Sequence, residues 1–194
     1  MICWISMWSS FFCINTRTGK ILRPLPVRWE FPSPGWVKIN IDGAARVYPG
    51  LATCGGIFRG SIGEFIRAFS AFLEVQIALV AEFYGVVHVM EEAQKMGLSN
   101  VWLKCDSALV CVAFTTRINV PWMLRNRWNT CLNYCGKIKF RVTHIFREGN
   151  ACVDKLANFG FIRRESFHWY NRLSSSLFLE FFMNRYSLLM YRFC

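Results

Sequence analysis

Four carboxylates sit on the first strand, the first long helix, the end of the fourth strand and the last helix predicted, and their surroundings set the chemistry open to them. Asp42 closes the run 35–44, in which Val37, Ile39 and Ile41 alternate with Lys38, Asn40 and Asp42. That is the period of a strand, with Pro34-Gly35 before it and Gly43 after it as punctuation. Alone, Asp42 reads equally well as a turn residue bonding its own backbone. Glu82 falls on the apolar stripe Val75, Ala78, Leu79, Val86, Val89, Met90 of a helix predicted over 75–96. A buried carboxylate needs a metal, a cation or a proton, unless the stripe is wide and Glu82 reaches its edge. Asp106 follows a predicted strand at 101–105. It either caps the next helix or shares with Asp42 the carboxyl ends of strands, where ligands gather in open α/β sheets. Asp154 lies near the start of a last helix, 151–159, ten residues after His144.

These residues need a scaffold, and the chain supplies one in order. After the first strand, runs 52–59 and 64–71 flank Gly60-Ser61-Ile62-Gly63 and read as a hairpin, so three strands form an antiparallel meander. The helix over 75–96 ends at Gly97, a C-cap. The strand at 101–105 follows a helix and is expected to pair in parallel through a right-handed crossover. A short helix at 107–114 follows. Asn119 as N-cap and Pro121 in the first turn open another over 122–135, where Arg125 and Arg127 interleave with Trp122 and Trp128. Basic residues among aromatics suit a nucleic-acid backbone, although a core helix with two solvated arginines has the same pattern. A fifth strand, 137–145, alternates basic and apolar residues, and 147–150 forms a loop before the last helix.

Composition narrows the classes. The 194 residues are 54% hydrophobic, enough for a sizeable core. Lys and Arg number 23 against 12 Asp and Glu, and the net charge of +11 favours an anionic partner such as nucleic acid. Nine cysteines, at 3, 13, 54, 105, 111, 131, 135, 152 and 194, include no CxxC pair. They read as reduced thiols of an intracellular protein, nuclear or cytoplasmic, and Cys131, Cys135 and His144 fit no standard zinc spacing. The apolar stretch 1–14 lacks the basic start and small-residue cleavage site of a secretory signal. Glu180, Arg185 and Arg192 interrupt the apolar tail, so no membrane span is expected.

The motifs taken together carry a resemblance. Gly35-Trp36-Val37-Lys38-Ile39-Asn40-Ile41-Asp42-Gly43-Ala44, Gly55-Gly56-Ile57-Phe58-Arg59, Ala81-Glu82, Asp106-Ser107, Pro121-Trp122 and His144-Ile145-Phe146-Arg147-Glu148-Gly149-Asn150-Ala151-Cys152-Val153-Asp154-Lys155-Leu156-Ala157 occur in that order. Over roughly residues 29–162 the chain resembles the ribonuclease H-like domains of plant non-LTR retrotransposon reverse transcriptases. The resemblance implies an α/β fold: a five-stranded mixed sheet, three antiparallel strands followed by two parallel ones, flanked by helices. The expected organisation is an N-terminal extension at 1–30, the domain at 31–162 and an aromatic-rich tail at 163–194.

The resemblance also implies roles. Asp42, Glu82, Asp106 and Asp154 match the family's metal ligands. His144 matches a histidine on a mobile loop that assists the attacking water or product release, and Asn150 matches the asparagine supporting that loop. The implied activity is endonucleolytic hydrolysis of the RNA strand of RNA–DNA hybrids, leaving 5′-phosphate and 3′-hydroxyl ends. Four carboxylates can hold two Mg²⁺ ions roughly 4 Å apart, with Mn²⁺ as a substitute. Hard oxygen donors select such ions over zinc. Asn150, Arg125 and Arg127 are the expected substrate contacts, the hybrid being read through 2′-hydroxyls rather than bases. The expected state is a monomer, with a polymerase domain acting in trans. A non-catalytic nucleic-acid-binding relic is the competing expectation. Gly60, where the family carries an acidic residue, and Val153, where it carries alanine, depart from the pattern without touching the ligands.

Overall fold

The computed structural model describes residues 24–116, 120–186 and 188–193. Most of the extension at 1–23, the proposed cap Asn119, and Cys3, Cys13 and Cys194 lie outside the described residues. Strands β1 (Pro24–Val27), β2 (Val37–Ala45), β3 (Gly50–Arg59) and β4 (Phe65–Gln76) precede helix α1 (Ala78–Lys95). Then come β5 (Asn100–Cys105), α2 (Ala108–Ala113), α3 (Arg125–Cys135), β6 (Lys139–His144) and α4 (Ala151–Arg163). The chain closes with β7 (His168–Tyr170), α5 (Phe178–Arg185) and β8 (Met190–Phe193).

The main sheet runs β6-β5-β2-β3-β4-β7, and β1 pairs with β8 as a separate antiparallel ribbon. β2, β3 and β4 are antiparallel neighbours, while β2, β5 and β6 run parallel. The mixed architecture is the expected one with one strand more. β7 extends the edge beyond β4, with Ala68 opposite Tyr170 and Ser70 opposite His168. Three residues are too few to display alternation, which is why the sequence pattern does not reveal β7. Its anchor is tertiary: Phe167, just before it, stacks on Phe69 at 5.1 Å, and Ser70 and Tyr170 share a hydroxyl hydrogen bond of 3.1 Å.

Each face of the sheet carries its own layer. Ile39, Ile41, Cys54 and Leu103 meet Phe83, Val86, Val87 and Met90 of α1, with Trp128 of α3 closing that core. On the other face Ile57 and Ala68 pack with Val153 and Leu156 of α4 and Phe181 of α5. The parallel strands on this second face are covered by the segment after β1. Trp29 is 3% exposed and lies 3.9 Å from Lys38 Nζ, measured to the ring centroid. Lys38 is fully buried, and its Nζ donates to the Glu30 carbonyl at 2.5 Å. Burial, then Lys104 and Arg59, push its pKa down to about 6. Lys38, Asn40 and Asp42 thus form an interior row, not the solvated face their polarity suggests.

Candidate active site

The parallel pairing of β2, β5 and β6 ends at one level. Ile41 is level with Cys105, and Cys105 with His144. Asp42, Asp106 and the chain after His144 are therefore brought together by register alone. Glu82 and Asp154 arrive on helices from opposite faces, and a glycine admits each helix. A Cβ on Gly43 would stand 2.3 Å from the Glu82 backbone nitrogen, and one on Gly55 would stand 2.7 Å from that of Ala157. α1 and α4 therefore touch neighbouring strands backbone to backbone. Gly55 is the cross-strand partner of Asp42, which places Asp154, one turn before Ala157, beside it.

Asp42, Glu82, Asp106 and Arg147 line a cleft of about 280 Å³. Asp42 is 5% exposed and Glu82 8%. The Cys105 thiol donates to Glu82 Oε2 at 3.2 Å. Arg147 Nη2 donates to Asp154 Oδ1 at 2.7 Å. His144 Nε2 lies 3.0 Å from the Asp106 carbonyl oxygen. Asn150 is buried and ties the loop to β2: its amide donates to the Ile41 carbonyl at 2.8 Å and its carbonyl accepts from Asn40 at 3.0 Å. Asp106 does not cap α2, because the Ser107 hydroxyl accepts from the Val110 N–H instead.

Burial, then Asp106 and Asp154, push the Asp42 carboxyl up to about 7, against the pull of Arg147 and the Gly43 N–H. Glu82 is held well above its ordinary range by burial, then by Asp42 and Asp106. Burial also raises Asp106, opposed by its own N–H, Arg147 and His144. Burial thus acts first on all three carboxyls, and their like-charged neighbours add to it.

The residues fit a hard divalent ion. Asp106 Oδ1 is buried without a hydrogen-bond partner among the described residues. Donor atoms of Glu82, Asp106 and Cys105 all lie within 4.8 Å of one another. Carboxylate oxygens are the donors such an ion prefers. Cys131 and Cys135 sit on α3, and the six described cysteines, Cys54, Cys105, Cys111, Cys131, Cys135 and Cys152, are free thiols.

The two arginines of α3 differ. Arg127 forms a two-point ion pair with Glu91, both contacts at 2.7 Å, so its guanidinium is engaged by α1. Arg125 is exposed and forms no ion pair among the described residues. Arg125→Ala is expected to weaken binding of an RNA–DNA hybrid and reduce the slope of log K against log salt by about 1. Arg127→Ala is expected to lower thermal stability instead. Fluorescence anisotropy across a salt series checks the first, and an unchanged slope would place the backbone contact elsewhere. Arg147 is the site residue that sequence reasoning passed over. The signal was present, a guanidinium between His144 and Asp154, but a loop arginine is ordinarily a solvated one.

The profile of the reverse transcriptase-like family matches residues 40–160. A protein of Arabidopsis thaliana named as a ribonuclease H protein is 32% identical over 152 residues, covering 78% of this chain and 24% of that protein. The chain thus spans about a quarter of the length of this curated relative. Among solved structures, RNase H1 of Halobacterium salinarum superposes with a TM-score of 0.59 at 24% identity, covering 66% of this chain and 98% of that one. LC11-RNase H1, solved in complex with an RNA/DNA hybrid, gives the same four values. The prototype foamy virus protease–reverse transcriptase gives a TM-score of 0.54 at 22% identity, over 64% of this chain and 20% of that one. These structural likenesses show the fold. No helix among the described residues is long and apolar enough to cross a membrane.

Proposed function

This chain belongs to the reverse transcriptase-like family and has a ribonuclease H-like fold, and on that premise we propose that it is a metal-dependent endonuclease that hydrolyses the RNA strand of RNA–DNA hybrids, of plant retrotransposon descent. The observation that supports the reading is that Asp42, Glu82 and Asp106 line one cleft, with Asp154 near enough to Asp42 to raise its carboxyl. Asp42, Glu82, Asp106 and Asp154 would hold the ions, Mg²⁺ with Mn²⁺ as a substitute. When bound, such ions neutralise the phosphodiester's charge and generate a nucleophile from water.

The chain's own residues do the rest. Asn150 pins the loop 147–150 to β2, so the residues flanking it keep fixed positions relative to Asp42. His144, whose Nε2 lies 3.0 Å from the Asp106 carbonyl oxygen, would accept or deliver a proton during the reaction. The Cys105 thiol orients Glu82 by donating to one of its oxygens. Arg125 and the surplus of basic residues hold the hybrid's backbone, and 2′-hydroxyl contacts across the minor groove distinguish RNA from DNA. The foamy virus structure it resembles is a protease–reverse transcriptase, and a polymerase domain acting in trans is a fitting companion for this chain.

The test is cleavage of a labelled hybrid by the purified protein, with Mg²⁺ or with EDTA, beside Asp106→Asn. RNA-strand cutting that needs Mg²⁺ and falls by about 10³-fold or more in a variant with unchanged circular dichroism is the expected result. A folded wild-type protein that binds the hybrid and leaves it intact with both Mg²⁺ and Mn²⁺ would instead be a binding relic.

A further inference from the structure

Arg147 is the arginine whose side chain lines the carboxylate cleft. Its backbone and its side chain have opposite freedoms. The 3₁₀ turn Arg147–Asn150 is anchored through Asn150, 1% exposed, to Ile41 and Asn40. The Arg147 side chain is 73% exposed and makes one ion pair, from Nη2 to Asp154 Oδ1. Asp154 has a second partner on its own helix, since the Asn158 amide donates to Oδ2 at 3.3 Å. Releasing Arg147 therefore leaves Asp154 oriented.

The electrostatics point the same way. Arg147 draws on Asp154 first, then on Asp42 and Asp106, and it lowers both of those carboxyls in return. It is a local counter-ion of a site whose other function is to hold cations. An exposed pair of this kind is weak and readily exchanged. A planar guanidinium is also the side chain best matched to phosphate oxygens, which it can bind through two N–H groups at once.

We propose that Arg147 is an exchanging cation of this site: it holds Asp154 while the carboxylates lack a metal ion, and it contacts a non-bridging oxygen of the substrate phosphate once they have one. This makes Arg147 a substrate-touching residue in addition to the four carboxylates and His144. The proposal rests on the endonuclease reading for its second half, and its first half stands on the exposed Arg147–Asp154 pair.

The experiment compares the full chain with Arg147→Ala and Arg147→Lys. Mn²⁺ affinity is measured by calorimetry, and cleavage of the hybrid is measured at saturating Mg²⁺. Arg147→Ala is expected to bind Mn²⁺ roughly 3- to 10-fold more tightly, because a competing cation has gone. It is expected to cut the hybrid about 10- to 100-fold more slowly, because a phosphate donor has gone. Arg147→Lys should recover part of the cleavage, since it keeps the charge but loses the fork. A merely structural role would weaken both metal binding and cleavage together with the melting temperature, and that pattern overturns the proposal. Unchanged Mn²⁺ affinity with unchanged cleavage overturns it as well. If the wild type itself does not cut, the endonuclease reading falls. The metal titration then decides alone: tighter binding keeps Arg147 as the competitor of the metal, and equal affinity removes it.

Discussion

Asp42→Asn is expected to abolish hybrid cleavage, by about 10³-fold or more, and at the same time to make the metal-free protein more stable. The two effects have one cause. Asp42 is buried beside Asp106 and Asp154, and burial first, then those two charges, raise its carboxyl from 3.8 to about 7. A raised acid stabilises the fold only in its protonated form. That contribution is fully present below pH 3.8, where folded and unfolded chains are both protonated. It is lost as pH rises through the window up to about 7, because the unfolded chain ionises there first. A shift of about three units corresponds to roughly 4 kcal/mol at full ionisation. The asparagine variant lacks this term. In EDTA, its melting temperature should match the wild type near pH 4, rise above it through the window and hold the gain at pH 8. Divalent metal should reverse the order at pH 8, since it stabilises the form that keeps all its ligands. Thermal melts at pH 4, 6 and 8, with EDTA and with Mg²⁺, read this out. A difference between variant and wild type that does not change with pH would mean that Asp42 is not under the strain its burial implies. The other buried titrating groups, Lys38 and His88 among them, are common to both proteins and leave the comparison intact to first order.

Gly43→Ala is the second substitution with a large expected effect, and it acts through packing alone. The new methyl would stand 2.3 Å from the Glu82 nitrogen, 2.5 Å from the Ala81 carbonyl carbon and 2.8 Å from the Glu82 Cα. All three are backbone atoms of α1, so no side chain can turn aside, and the helix must move off β2. Overpacking of this kind costs about 1–3 kcal/mol. The displacement also carries Glu82 away from Asp42 and Asp106, and a shift on the order of 1 Å lowers a rate about 100-fold. Gly85→Ala, on the same helix, is the control. Its methyl would meet Ile41 Cβ and Cys54 Cβ at 3.7 Å, an ordinary contact, and alanine favours the helix. Gly85→Ala should therefore melt at or above the wild-type temperature with cleavage retained. If Gly43→Ala melts and cuts as the wild type does, the backbone approach at Gly43 is not what positions Glu82.

Arg127 and Glu92 show where one-dimensional reading loses its object. Arg127 is a basic residue among aromatics on α3, and so is Arg125. Which of them is free depends on Glu91, 36 residues earlier, which lies within reach of one and not the other. Glu92 lies among charged residues near the end of α1, where a helix ordinarily meets water, yet it is 6% exposed and pairs with Arg67 of β4. In both cases the partner comes from an element distant in sequence, and local period carries no information about it.

The sequence by itself determined the order and type of the main elements, because alternation at 37–42 and helical spacing across 78–93 are local properties. The ordered motifs also singled out Asp42, Glu82 and Asp106, the three carboxylates that line the cleft. Tertiary structure alone decided three other features. It added β7 and the β1–β8 ribbon, whose strands are too short to declare themselves. It turned the polar row Lys38, Asn40 and Asp42 inward, because Trp29, Asn150 and α4 cover a face that alternation assigns to water. It brought Arg147 to Asp154 across a loop whose path depends on Asn150 reaching β2. The physical reason is common to all three. Period reports which side of an element a residue occupies, but only packing between elements decides what covers that side.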